Sequence, residues 1–306
     1  MSVPGNGDLP RLLVIGARGF LGSFAASRAG SRYQVVRADR SRAGVETDVV
    51  VDVADGASVR RAMDAVRPDA VVLLAALSDI DHCQRVPEEA VAINLHGAEH
   101  VANACARSGA RLLFTSTGAV FDGRRQSYSE EDEISPLSVY GETKAQAEES
   151  VGKLTPSAVI LRVSLVLGRT GRTGTNSLLD SMMRRWNSGE VVSASVLESR
   201  NPIDAGTLSQ WMLELLADNY HSGIFHAGAT EAMSRYELAR AVARQLHVPE
   251  QLVKPELAPA KGRAPRGAHH LLLTSKISRA CTTQAPNCRE VIERSVNEVA
   301  EGSFRA

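Results

Sequence analysis

Residues 11–27 read RLLVIGARGFLGSFAAS: a short apolar strand, then Gly16, Gly19 and Gly22 at three-residue spacing, then an alanine-rich helical stretch. A strand that breaks into a glycine-rich turn and reopens as a helix begins a βαβ unit, and the glycines let the backbone turn tightly and approach a diphosphate. Amide groups at the start of that helix would meet the phosphates, and the helix dipole favours their charge. Arg18, Phe20 and Leu21 lie inside the same turn and join the three glycines as candidate cofactor contacts.

Outward from this stretch the pattern repeats. Apolar, β-branched runs at 11–16, 33–39, 48–53, 69–76, 110–117 and 158–168 alternate with helix candidates at 20–29, 57–66, 88–107 and 139–153. Several runs are apolar throughout, as expected of strands covered by helices on both faces. The expected fold is α/β, a doubly wound parallel sheet of the Rossmann kind with a smaller C-terminal substrate-binding lobe. Residues 1–10 read as a flexible tail, 11–168 as the dinucleotide-binding domain and 169–306 mainly as the substrate lobe, with a strand near 223–228 returning to the sheet. In the lobe, helices are expected at 177–188 and 234–246, the second with Ser234 and Glu237 in capping-box spacing. The Pro-, Ala- and Arg-rich segment 255–267 reads as a loop, either ordered by contact or mobile.

Asp39 ends the second strand about twenty residues past the glycines, where an acid accepts hydrogen bonds from an adenosine ribose and favours NAD(H). Its neighbours Arg18, Arg37, Arg40 and Arg42 suit the extra phosphate of NADP(H), so the cofactor is read as NAD(H) or NADP(H). Asp52 and Val53 would edge the adenine, and Ala75 and Ala76 are small enough to let the ribose and nicotinamide pass closely.

Composition narrows the classes further. The 306 residues carry 35 Lys and Arg against 35 Asp and Glu, so no global field draws the chain to nucleic acid or to an anionic bilayer. No run approaches the roughly 20 apolar residues that span a membrane, and MSVPGNGDLP lacks the basic and apolar regions of a signal peptide, so a cytoplasmic location is expected. Cys83, Cys105, Cys281 and Cys288 are widely spaced without a C-x-x-C, which suggests buried thiols and neither disulfide nor metal site.

Tyr140-Gly-Glu-Thr-Lys144 places a phenol and an ammonium on one helix face. Exposed helices show that spacing by chance, but here it follows a dinucleotide fold and the hydroxyl pair Ser116-Thr117 at the end of the fifth strand. Lys144 is expected to draw the Tyr140 phenol toward the range of a working proton donor, and a shift of about three pH units, about 4 kcal/mol of differential interaction, falls to that cation together with the nicotinamide's own positive charge. Thr117 would polarise a substrate carbonyl and Lys144 would hold ribose hydroxyls, a set suited to hydride transfer at a carbinol carbon.

With these residues in place the chain resembles the extended short-chain dehydrogenase/reductases, and within them the dTDP-4-dehydrorhamnose reductase branch. GARGFLG, LAALSDIDHCQRVPEEAVAIN, STGAVFDG, SPLSVYGETKAQAE, LRVSLVLG and GIFHAGATEAMSRYELARAVA fall in that family's order over nearly the whole length. The resemblance implies NAD(P)H-dependent reduction of a 4-keto-6-deoxy nucleotide sugar, with Thr117, Tyr140 and Lys144 as the catalytic set and a homodimer as a common assembly. It also implies that Ser78 and Asn94 line the cofactor and sugar cleft, and that Asn176 and Arg200 contact the nucleotide sugar. The family usually has an acid and a tyrosine after the Ser-Thr pair; here Gly118-Ala119 stand there, which is expected to enlarge the pocket. That pair lacks the acids of the related dehydratases and is similar to the small-residue segment of the nucleotide-sugar 4-epimerases. The late pattern TEAMSRYELARAVA with RAPRGA is also similar to the regulatory β subunit of methionine adenosyltransferase, a partner protein rather than a turnover enzyme.

Overall fold

The computed structural model describes residues 9–41, 47–170, 175–258 and 262–300. Most of the expected N-terminal tail and Arg42 lie outside the described residues. The strands are β1 (Arg11–Ile15), β2 (Gln34–Asp39), β3 (Val49–Val50), β4 (Ala70–Leu73), β5 (Arg111–Thr117), β6 (Val159–Val163), β7 (Leu165–Leu167), β8 (Val192–Ser195), β9 (Ser199–Arg200), β10 (Pro202–Asp204), β11 (Gly223–Ala227), β12 (Met233–Ser234), β13 (Val253–Glu256) and β14 (His269–His270). Among the described residues, seven of them form a parallel sheet in the order β11-β6-β5-β4-β1-β2-β3. The chain runs outward from β1 to β2 and β3, then crosses to β4 on the other side of β1, so a crevice opens beyond the carboxyl ends of β1 and β4.

The helices that cover the sheet and build the lobe are α1 (Phe20–Ala29), α2 (Gly56–Val66), α3 (Ile80–Arg85), α4 (Pro87–Ala90), α5 (Gly97–Ser108), α6 (Val139–Leu154), α7 (Leu178–Asn187), α8 (Ala205–Leu216), α9 (Arg235–Gln245), α10 (Ser275–Ala280) and α11 (Cys288–Asn297). Alternate strand residues go to opposite cores. Leu12, Val14, Val72, Leu113 and Leu161 pack with Ala25 of α1 and with Leu208 and Trp211 of α8. Leu13, Ile15, Leu73, Leu112 and Phe114 pack with Val59 and Met63 of α2, Val101 of α5 and Val151 of α6. Unbroken apolar runs therefore mark strands buried on both faces. A third core gathers Leu179 and Trp186 of α7, Leu238 and Val242 of α9, and Val291 of α11 beneath the C-terminal part.

Side chains set several helix starts. Ser138 caps α6, Ser177 caps α7, and Ser234 and Glu237 close the capping box on α9 that their spacing predicts. Three expected elements differ from what forms. The run 48–53 yields only β3, because the Asp52 side chain accepts from the Ala54 amide at 3.0 Å and the Asp52 amide donates to the Ser58 hydroxyl at 3.1 Å. Local polar bonds there take the backbone out of the ladder. The run 158–168 divides at Ser164, whose hydroxyl donates to the His270 carbonyl, and β7 leaves the main sheet to pair with β10. The helix expected over 88–107 contains a π-helical turn at Val91–His96 between α4 and α5.

Leu161 is fully buried in the middle of the sheet, whereas Leu257 is 74 % exposed. Leu161→Ala is expected to cost about 2–5 kcal/mol of unfolding free energy in urea titrations, and Leu257→Ala less than about 0.5 kcal/mol.

Candidate active site

The crevice at the switch point is a cleft of about 1100 Å³ that runs from the glycine turn to the C-terminal lobe. Gly16 turns the chain at φ 91°, and a Cβ there would sit 2.7 Å from the Ala75 amide nitrogen. A Cβ on Gly22 would sit 2.1 Å from the Gly16 carbonyl, so only glycine lets α1 start this close to the turn. Gly19, Phe20, Leu21 and Gly22 form the first turn of α1 along the cleft, and no side chain caps it. Such an amide-rich helix start suits an anion. Arg18 also lines this end, its backbone amide donating to the Asp39 carboxylate at 3.1 Å and its guanidinium to the Ser41 carbonyl at 3.2 Å.

Asp39 accepts a second amide bond, from Arg40 at 2.8 Å, which fixes the carboxylate at the end of β2. Asp52, Val53, Ala75 and Ala76 line the same end, and Arg40 stands at the rim. An open glycine turn, an uncapped helix start and a fixed acid at the end of β2 fit a dinucleotide. Among the described residues no group of three or more His, Cys, Asp or Glu side chains could hold a metal ion.

Thr117, Tyr140 and Lys144 converge midway along the cleft. Thr117 ends β5, where its Oγ1 accepts from the Ala119 amide at 3.1 Å. Tyr140 and Lys144 sit on the first two turns of α6. Burial pushes the Tyr140 phenol up to about 12, opposed by the nearby Thr117 hydroxyl. Lys144 is buried, with its ammonium 3.9 Å from the centre of the Phe114 ring. Burial brings that ammonium down to about 7, opposed by the Glu148 carboxylate. The expected lowering of the phenol by Lys144 is thus not found. The lysine is itself desolvated and leans on an aromatic face, so burial dominates both groups.

The substrate-side candidates separate. Ser78 and Asn176 line the cleft and bridge it, the Asn176 amide donating to the Ser78 hydroxyl at 2.9 Å. Arg200 also lines it, yet its guanidinium is bonded to the carbonyls of Ser199, Gly267 and Ala268 and bridged to Glu198. Asn94 lies behind the wall. Its Oδ1 accepts from the Leu77 amide at 2.8 Å, and its Nδ2 donates to the Leu77 carbonyl at 3.0 Å and to Thr143 at 3.3 Å. It ties the end of β4 to α6 instead of facing a ligand. Of the Gly118-Ala119 pair, Ala119 lines the cleft, and a Cβ on Gly118 would meet Leu272 and His270 at 3.5–3.6 Å.

Arg235, Arg263 and Arg266 also line the cleft's C-terminal end, and sequence reasoning missed them. For Arg263 and Arg266 the only signal was the basic composition of the 255–267 segment. Asp81 of α3 holds that segment across the cleft, accepting from the Ala264 amide at 2.7 Å and from both Arg266 terminal nitrogens at 3.0 and 2.8 Å. The Arg266 guanidinium keeps the Asp81 carboxyl down at about 2.

The sequence profile of the family described as RmlD substrate binding domain matches residues 10–301. A dTDP-4-dehydrorhamnose reductase of Mycobacterium tuberculosis is 30% identical over 293 residues, covering 94% of this chain and 92% of that protein. The methionine adenosyltransferase 2 subunit beta of Xenopus tropicalis is 26% identical over 301 residues, covering 97% of this chain and 89% of that protein. The fold is shared with the crystal structure of dTDP-4-dehydrorhamnose reductase from Bacillus anthracis str. Ames in complex with NADP, at a TM-score of 0.85, 23% identity, 95% of this chain and 99% of that one.

Asp81→Asn removes the charge that grips Arg266, so amide exchange at Ala264 and Gly267 is expected to quicken at least about tenfold while the sheet stays protected. In the unsubstituted protein the clasp's contribution to stability is complete above the ordinary carboxylate range near 4 and is lost as pH falls toward 2. Hydrogen-exchange mass spectrometry across that acid range reads both.

Proposed function

The chain belongs to the RmlD substrate binding domain family, and on that premise we propose that it is an NAD(P)H-dependent reductase of a 4-keto-6-deoxy nucleotide sugar. The observation that carries this reading is the convergence of Thr117, Tyr140 and Lys144 on a cleft whose other end fits a dinucleotide. A bound reduced nicotinamide supplies the hydride that the sugar's carbonyl carbon accepts. Tyr140 gives its proton to the carbonyl oxygen, so the ketone becomes an alcohol. A phenol held up at about 12 keeps that proton at neutral pH, ready to donate. Thr117 steadies the oxygen as negative charge develops on it.

Lys144 orients the cofactor ribose through its ammonium, and the first turn of α1 receives the cofactor diphosphate. Asp39 accepts from the adenosine ribose, with Arg18 and Arg40 beside it for a 2′-phosphate. Arg200, Arg235, Arg263 and Arg266 give the lobe end of the cleft the charge that a nucleotide sugar's diphosphate requires. Ser78 and Asn176 stand where the sugar passes between the two ends.

A second reading has its own support, since the methionine adenosyltransferase β subunit aligns with nearly the whole chain. There the cleft would bind a dinucleotide without turnover and the protein would act on a partner.

Mixing the protein with NADH or NADPH and a panel of 4-keto nucleotide sugars, and following the absorbance of the reduced nicotinamide, separates the readings. Oxidation with one sugar is expected. Tyr140→Phe is expected to lower turnover at least about 100-fold with cofactor affinity largely intact. Cofactor binding without oxidation across the panel would overturn the reductase reading, and capture of a defined partner subunit would support the other.

A further inference from the structure

One carboxylate beneath the catalytic set has four hydrogen bonds and no part in the steps above. Glu148 lies on α6 one turn beyond Lys144 and is 5 % exposed. It accepts from the Ser116 hydroxyl, from Arg162 Nε at 3.0 and 3.1 Å, and from an Arg162 terminal nitrogen at 2.7 Å. Ser116 immediately precedes Thr117 on β5, and Arg162, 3 % exposed, comes from β6. Arg162 is held from its other sides by the Phe121 ring, 5.0 Å away, and by His226 of β11 at 3.4 Å. The carboxylate therefore binds together the strand that carries Thr117, the helix that carries Tyr140 and Lys144, and the strand beside them.

Two buried charges of opposite sign at this contact would be a costly way merely to fill a core, since apolar residues of similar volume do that at least as well. What an apolar replacement would not supply is a negative charge one helical turn from a buried ammonium. Among the described residues, Glu148, one turn along the same helix, is the charged group that acts on the Lys144 ammonium, and it is itself paired with Arg162 of β6; Cys83 of α3 bears on Tyr140 instead. From the other elements against α6, Glu89 of α4 is taken up by His82 of α3, and Glu99 of α5 by His96 and Ser150 further along the helix. Tyr140 and Cys83 are both neutral at physiological pH, their ionisation pushed up by burial. Glu148 is thus the carboxylate placed to favour the charged form of Lys144.

We propose that Glu148 is a positioning residue for the reduction, fixing Thr117 against α6 through Ser116 and setting a carboxylate one helical turn from Lys144. This rests on the reductase reading for its purpose, but the coupling between the two side chains can be read without any turnover. The chain has five lysines, Lys144, Lys153, Lys254, Lys261 and Lys276, so protein labelled with ¹³C at the lysine ε-carbon gives a spectrum simple enough to follow each titration. Loss of one signal in Lys144→Met assigns it.

Glu148→Gln keeps an acceptor oxygen for Ser116 and Arg162 but removes the charge. The Lys144 midpoint is expected to fall by about one pH unit, with the other four lysines unmoved. Because the ammonium is the working form and is lost as pH rises, the alkaline limb of kcat/KM should move to lower pH by the same amount. Ser116→Ala, which loosens Thr117 but leaves the charge, should lower kcat without moving the limb, and Glu148→Asp should restore most of the midpoint. Should Glu148→Gln fail to fold with Arg162 unpaired, the Glu148→Gln/Arg162→Met double variant is titrated against Arg162→Met alone, so that the two differ only in the Glu148 charge. A Lys144 midpoint unchanged in the folded variant overturns the proposal. A midpoint that moves in a protein that reduces no sugar leaves the coupling standing and removes the reductase reading instead.

Discussion

The approach of Gly22 to the Gly16 carbonyl is the contact on which this architecture turns. A methyl group at that point would lie 2.1 Å from the oxygen, so any other residue would push α1 away from the end of β1. With glycine there, the helix begins immediately after the strand, its first amides open into the crevice, and Gly16 can press against the backbone at Ala75. The crevice exists because the chain reverses direction across the sheet between β1 and β4. At the glycine turn its wall is backbone, because the glycines put no side chains in the way. Every group assigned a role in the proposed reduction is placed relative to that opening.

Much of this was legible in the sequence for a simple reason. A parallel sheet covered on both faces requires apolar residues at odd and even positions alike, and residues 12–15, Ala70–Leu73 and residues 159–161 satisfy that requirement visibly. The capping box of Ser234 and Glu237 was equally plain, since capping is a local bond between near neighbours. Where polar side chains bond back to the main chain, at Asp52 and Ser164, the apolar pattern outran the strand that forms. Hydropathy cannot register such competition.

The site was legible where one element carried it. Tyr140 and Lys144 share a helix face, and Thr117 ends a strand, so spacing alone brings them near the cleft. The charge state of the set was not legible, because desolvation depends on what packs around a group and not on its neighbours in sequence. Lys144 proved to lean on Phe114, thirty residues upstream, with Glu148 favouring its charged form, and it does not lower the phenol. Asn94 was misread for a related reason: an amide at the end of a motif looks like a ligand contact until both of its ends are seen to be occupied by Leu77 and Thr143.

The clasp between Asp81 and Arg266 has a further bearing on how the cleft meets its ligands. Among the described residues it ties the arginine-bearing segment of the lobe to the Rossmann side, and the Asp81 side chain is 30 % exposed, within reach of dissolved ions. An anion arriving at the lobe end faces an arginine already engaged by a carboxylate, so binding there is an exchange of one negative partner for another. Salt would weaken both the resident pair and the incoming one. Ionic strength should then change the speed of ligand exchange more than its equilibrium, a buffering of affinity that an unpaired arginine would not provide.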